Sequence, residues 1–124
     1  MSTSSLTFLS NNHNSKLYFS KYELNMILSC YSLGVSRGNW MDYSIYSNKN
    51  EAIFFIYKHT SSMPEYSLIK YRNKKENKYF YKLIAGEKNN NDKENIEELI
   101  SILKRKNIKI INWNRVVGRL YKRI

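Results

Sequence analysis

One cysteine, one proline, four glycines and two histidines stand among 124 residues. Cys30 has no partner in the chain, so no internal disulfide and no cysteine-based metal cage can form. Such scarcity points to a reducing compartment. Cys30 falls inside an expected helix with no base nearby, which makes it a small buried side chain rather than a nucleophile. His13 and His59 have no second His or Cys at ligand spacing, so no metal is expected. Gly34 and Gly38 do not make a phosphate-cradling loop, and no Gly-x-Ser-x-Gly turn occurs. No cofactor is therefore implied. No apolar run reaches the roughly 18 residues of a membrane span. Met1 to Asn14 lack the basic stretch and apolar run of a secretory signal. The expected location is the cytoplasm.

What is present is charge and aromatic side chains. The net charge is +11, and apolar residues make up 42%, enough for a folded globule. The length allows a single domain. The charge is uneven. Residues 1–103 hold 13 Lys and Arg against 10 Asp and Glu, whereas residues 104–124 hold eight basic residues and no acid. An excess of this kind suits an anionic partner. The abundance of Asn, Lys, Ile and Tyr is also what an A/T-rich genome imposes, so part of the charge needs no partner.

The chain divides into a disordered tail over 1–15, one α+β domain over 16–112, and a basic amphipathic extension over 113–124. Residues Lys21 to Arg37 read as a helix. Ser20 and Glu23 have capping-box spacing, and Phe19 and Leu24 have that of a hydrophobic staple. Leu24, Ile27, Leu28 and Tyr31 lay an apolar stripe on the core. Gly38 ends the helix. Four strands follow, over Trp40–Tyr46, Ala52–His59, Glu65–Arg72 and Tyr79–Ala85. Polar turns at Ser47–Asn50 and Asn73–Asn77 and a break at Thr60–Pro64 favour antiparallel neighbours. A loop over Glu87–Asp92 leads to a second helix, Lys93 to Lys106, with Ile96, Leu99, Ile100 and Leu103 inward and Asn107 closing it. Lys109–Asn112 reads as a short fifth strand. Trp113 to Ile124 reads as a helix with Gly118 weakening it. The expected fold is α+β: an N-terminal helix, an antiparallel sheet of four to five strands, and one or two C-terminal helices packed on one face.

Two runs carry a resemblance. Glu23, Leu24, Asn25, Ile27, Leu28 and Tyr31 form a Glu-Leu-Asn-x-Ile-Leu-x-x-Tyr helix, and Gly38, Trp40, Asp42 and Tyr43 form Gly-x-Trp-x-Asp-Tyr. Together they resemble a bacterial, chiefly alphaproteobacterial, family known as domain of unknown function 2794. Ala52–Phe54 and Pro64–Tyr66 fall where that family's second and third strands begin. The likeness covers roughly residues 19–111. It implies one domain in a bacterial cytoplasm and no particular activity.

Three functions compete. The leading expectation is a non-enzymatic domain binding RNA or DNA, with Lys104, Arg105, Lys106, Arg115, Arg119, Lys122 and Arg123 on phosphates. Sheet aromatics beside Lys58, Lys70, Arg72 and Lys82 would stack on bases; their alternative role is core and cross-strand packing. A membrane surface ranks below nucleic acid as the anionic partner. The second expectation is a protein-interaction or oligomerising module that uses an open sheet edge or the final helix. The third is a small-ligand or enzyme domain with a cleft at Trp40, Asp42 and Tyr43. Glu23, Asp42, Glu51 and Glu65 are candidate acid/base carboxylates. Glu23 is explained by its cap and Glu51 and Glu65 by solvation, so no catalytic residue is expected.

Overall fold

The computed structural model describes residues 15–60, 63–89 and 92–107. Its first helix, α1, spans Lys21–Ser36. It begins where the sequence places it, because Ser20 and Glu23 close a reciprocal cap. The Glu23 N–H donates to Ser20 Oγ at 3.1 Å, and the Ser20 N–H donates to Glu23 Oε1 at 2.7 Å. Gly38 takes φ +77°, the left-handed conformation that lets the chain leave the helix.

Five strands follow: β1 (Asp42–Ser47), β2 (Glu51–Tyr57), β3 (Tyr66–Asn73), β4 (Lys78–Ala85) and β5 (Lys88–Asn89). They form one antiparallel meander in sequence order. Side-chain hydrogen bonds make the tight turns. Asn48 Oδ1 accepts from the N–H groups of Asn50 and Glu51, and Asn73 Oδ1 from those of Lys75 and Glu76.

Two details differ from expectation. Trp40 and Met41 stand before β1. The Met41 N–H already donates to the Tyr57 carbonyl while Asp42 is opposite Tyr57, so two residues face one. Such a bulge re-aims the residues beside it. The fifth strand is Lys88–Asn89, inside the stretch expected to be a loop. The expected strand at Lys109–Asn112 and the helix at 113–124 lie outside the described residues, as does most of the 1–15 tail.

The second helix, α2, covers the described residues 96–107. It starts three residues later than its periodicity suggests because Lys93 serves the sheet: its N–H and C=O both bond Tyr81 across the edge of β4. Ile96, Leu99, Ile100 and Leu103 are buried as expected. They share one cluster with Ile27 and Cys30 of α1 and with Phe54, Ile56, Tyr66, Leu68, Tyr81 and Leu83 of the sheet. Alternation along each strand puts those six sheet residues on a single face. Both helices therefore cover that face, in two layers. The other face carries Tyr46, the half-buried Phe55, Tyr57, Tyr71 and Phe80, and the buried Ile69.

A candidate interaction edge at β1

The aromatic motif after α1 builds the border of the core. Trp40 is buried, in T-shaped contact with Tyr66, and its indole N–H donates to Glu65 Oε1 at 3.1 Å. Glu65, expected in solvent, is thus an indole acceptor. Trp40 lies on the backbone of α1, where only a glycine leaves room. A Cβ on Gly34 would stand 2.1 Å from Trp40 Cε3. Tyr31 stacks beside Trp40 and meets Tyr43 edge-on at 5.0 Å, and Tyr43 stacks on Phe54 at 4.8 Å. Asp42 points to the opposite face of the strand, where its Oδ1 accepts the Tyr43 N–H. The candidate cleft of Trp40, Asp42 and Tyr43 is therefore not assembled around one space. The two rings belong to the helix layer and the carboxylate to the other face.

The other candidate carboxylate is more deeply used than its cap suggests. Glu23 is buried, 2.9 Å from Lys70 Nζ, and accepts the Tyr81 hydroxyl as well. Lys70 also donates to the Tyr18 carbonyl at 3.0 Å. Burial pushes the Glu23 carboxyl up. The hydrogen bonds from Lys70, Tyr81 and the Ser20 N–H outweigh it and hold the group below the usual carboxylate value. Burial, followed by the Glu23 carboxylate, pushes the Tyr81 hydroxyl far above its usual range. Every member is satisfied, so the cluster holds the start of α1 to the sheet. Lys70 was expected to flank a nucleic-acid platform. It is a core cation instead, because its strand parity aims it at the helix layer.

The predicted phosphate-binding residues divide in two. Lys104 and Arg105 are exposed and Lys106 half-buried on α2. Lys104 is close enough to Cys30 of α1 to oppose the effect of burial, which pushes that thiol up. All three sit in the helix layer, across the sheet from the half-buried rings. Arg115, Arg119, Lys122 and Arg123 lie outside the described residues, as does His13. The face away from the helices has cations of its own. Lys82 Nζ lies 5.1 Å from the Tyr71 ring and Lys78 Nζ 5.7 Å from Phe80. Lys78 is engaged by Glu94 at 2.9 Å, and Asp42 and Glu51 share the face, so their charges balance. Of the other expected flanking cations, Arg72 shares the inner face with Tyr79, and Lys58 lies just past β2.

The two margins of the sheet differ sharply. The β4 edge is covered by β5 at Ile84 and Ala85 and by Lys93 at Tyr81, with Lys78 and Lys82 on the same strand. Among the described residues, the β1 edge pairs only with β2. Asp42 to Tyr46 are all exposed, and the strand holds no lysine and a single charge. Ile45 and Tyr46 are 46% and 51% exposed. Natural sheets guard such edges with lysine, proline, bulges, charges or a covering segment; among the described residues, β1 has only the bulge at Met41 and Asp42 and the Asp42 carboxylate, both at its first residue.

The family model for proteins of unknown function DUF2794 matches residues 17–103. The chain belongs to the DUF2794 family. Searches of curated proteins and of solved structures return no match. The DUF2794 match spans α1, the whole sheet and most of α2, and it assigns no activity. Among the described residues no cluster of His, Cys, Asp or Glu could hold a metal, and no helix is long and apolar enough to cross a membrane.

Proposed function

We propose that this DUF2794 domain is a protein-interaction module that accepts a β-strand along β1. The observation that carries it is the contrast between the two sheet edges: the β4 edge is basic and covered from Tyr81 to Ala85, while the β1 edge is exposed along Asp42 to Tyr46, offers Tyr43, Ile45 and Tyr46, and holds no cation. Strand addition supplies main-chain hydrogen bonds along such an edge, and alternate side chains add specificity. We place the domain in the cytoplasm of a bacterium, with an alphaproteobacterial source suggested by the Glu23–Tyr43 motif. The free, buried thiol of Cys30 suits that compartment.

The nucleic-acid reading has the charge of residues 104–124 behind it, but the cations that meet rings on the face away from the helices, Lys78 and Lys82, are matched there by Asp42 and Glu51. The two readings separate in one experiment. A short synthetic peptide of alternating valine and threonine is titrated into the dilute chain while amide exchange is followed by residue. Strand addition slows the Ile45 amide, which points away from β2, takes the Tyr43 amide over from Asp42 Oδ1, and leaves Ser44 and Tyr46 unchanged. Unaltered exchange at Tyr43 and Ile45 under saturating peptide would rule out the edge as a strand acceptor.

A further inference from the structure

Resting on the strand-accepting reading of β1, we propose that the strand it accepts is β1 of a second copy of this chain, paired antiparallel about a two-fold axis through Ser44. The register follows from the ladder. The Asn48 N–H donates to the Glu51 carbonyl, so alternation turns the main-chain groups of Ser44 and Tyr46 toward β2 and those of Tyr43 and Ile45 outward. A two-fold axis normal to the sheet keeps each face continuous and pairs residues of equal parity. Centring it on Ser44 sets Tyr43 opposite the partner's Ile45, an aromatic against a β-branched side chain, on the helix-covered face. On the other face Asp42 meets the partner's Tyr46, so no like charges oppose each other.

A molecule of net charge +11 repels its own copies, and β1, which holds no cation, adds nothing to that repulsion. What selects a copy of this chain over another partner is the flank of α1. Its buried centre is Ile27, Cys30 and Gly34, while Leu24, Leu28 and Tyr31 are only half-buried and Val35 is 41% exposed. These four recur at i, i+4, i+7 and i+11, on the side where Tyr31 touches Tyr43 of β1. The same two-fold operation brings this uncharged row toward its own image above the joined strands, giving an isologous contact of sheet edge and helix flank.

Sedimentation velocity on the full chain, with Ile45→Lys and Ser44→Cys variants, tests the proposal. The expected result is a species of twice 14.9 kDa whose dissociation constant rises at least tenfold in Ile45→Lys. The lysine stands on an exposed position, so the variant keeps its circular-dichroism spectrum. Ser44→Cys, with oxidised glutathione as electron acceptor, forms a bond between copies that the wild-type chain with buried Cys30 does not. A monomer at all concentrations whose Tyr43 and Ile45 amides still respond to the valine–threonine peptide would overturn self-pairing and leave the strand-accepting edge standing. A monomer with those amides already protected would give the edge to another segment of the same chain. A dimer indifferent to Ile45→Lys and unlinked through Ser44→Cys would place the contact elsewhere. Each of these three outcomes overturns the proposal.

Discussion

Two positions show how single residues fix this domain. Gly34 carries an indole where a side chain would be. Gly34→Ala forces a Cβ into the Trp40 ring, an overpacking cost of about 1–3 kcal/mol. It should lower the urea midpoint and shift tryptophan emission to the red as the ring leaves its site. Lys70 neutralises a buried carboxylate. Lys70→Met leaves Glu23 charged and unpaired, at a cost of about 3–5 kcal/mol. The double variant Glu23→Gln, Lys70→Met should recover much of that loss in equilibrium melts. Because the folded state lowers the Glu23 pKa, its contribution is complete above the ordinary value of 4.5 and fades as pH falls below it. The raised Tyr81 acts at the other end. Its contribution is present below pH 10.0 and fades as pH rises beyond it. Stability measured against pH should therefore fall on both flanks, and Tyr81→Phe should flatten the alkaline one. The cap of Glu23 was legible because Ser20 is three residues away. Its pairing with Lys70 and Tyr81 was not, since those partners are 47 and 58 residues distant and only the folded sheet brings them in.

At the scale of elements, local signals carried most of the reading. The capping box placed the start of α1, and asparagine-rich turns placed the hairpins, because both act within four residues. Ser20→Ala should cost about 1 kcal/mol, read as a lower melting temperature. Strand parity was legible too: Tyr66 and Leu68 share a face, as do Ile69 and Tyr71. What parity could not show is which face the helices cover. That choice buried Tyr81 and Lys70 and left Phe55, Tyr57, Tyr71 and Phe80 half-buried on the opposite side. The start of α2 was misplaced because Lys93, a good helix former by propensity, is bound to Tyr81 across the sheet. The stripe Leu24, Ile27, Leu28 and Tyr31 was expected to be uniformly core. Only Ile27 is fully buried, since α1 sits near the sheet margin and exposes its outer flank.

For the whole molecule, the net charge of +11 makes ionic strength a test between functions. Two like-charged copies repel, so added salt should tighten association between them. Binding to nucleic acid should weaken with the same addition, because it releases counterions. Parallel titrations from low to high sodium chloride, read by sedimentation and by fluorescence anisotropy with labelled RNA, give opposite slopes for the two activities. The asymmetry of the sheet has a consequence for the size of any assembly. A sheet receptive on both sides propagates into a filament as each newcomer offers a fresh end. Among the described residues Lys93 and β5 occupy the other margin from Tyr81 to Ala85. Pairing through β1 as proposed would therefore leave a third chain little to extend, and growth would be expected to stop at two.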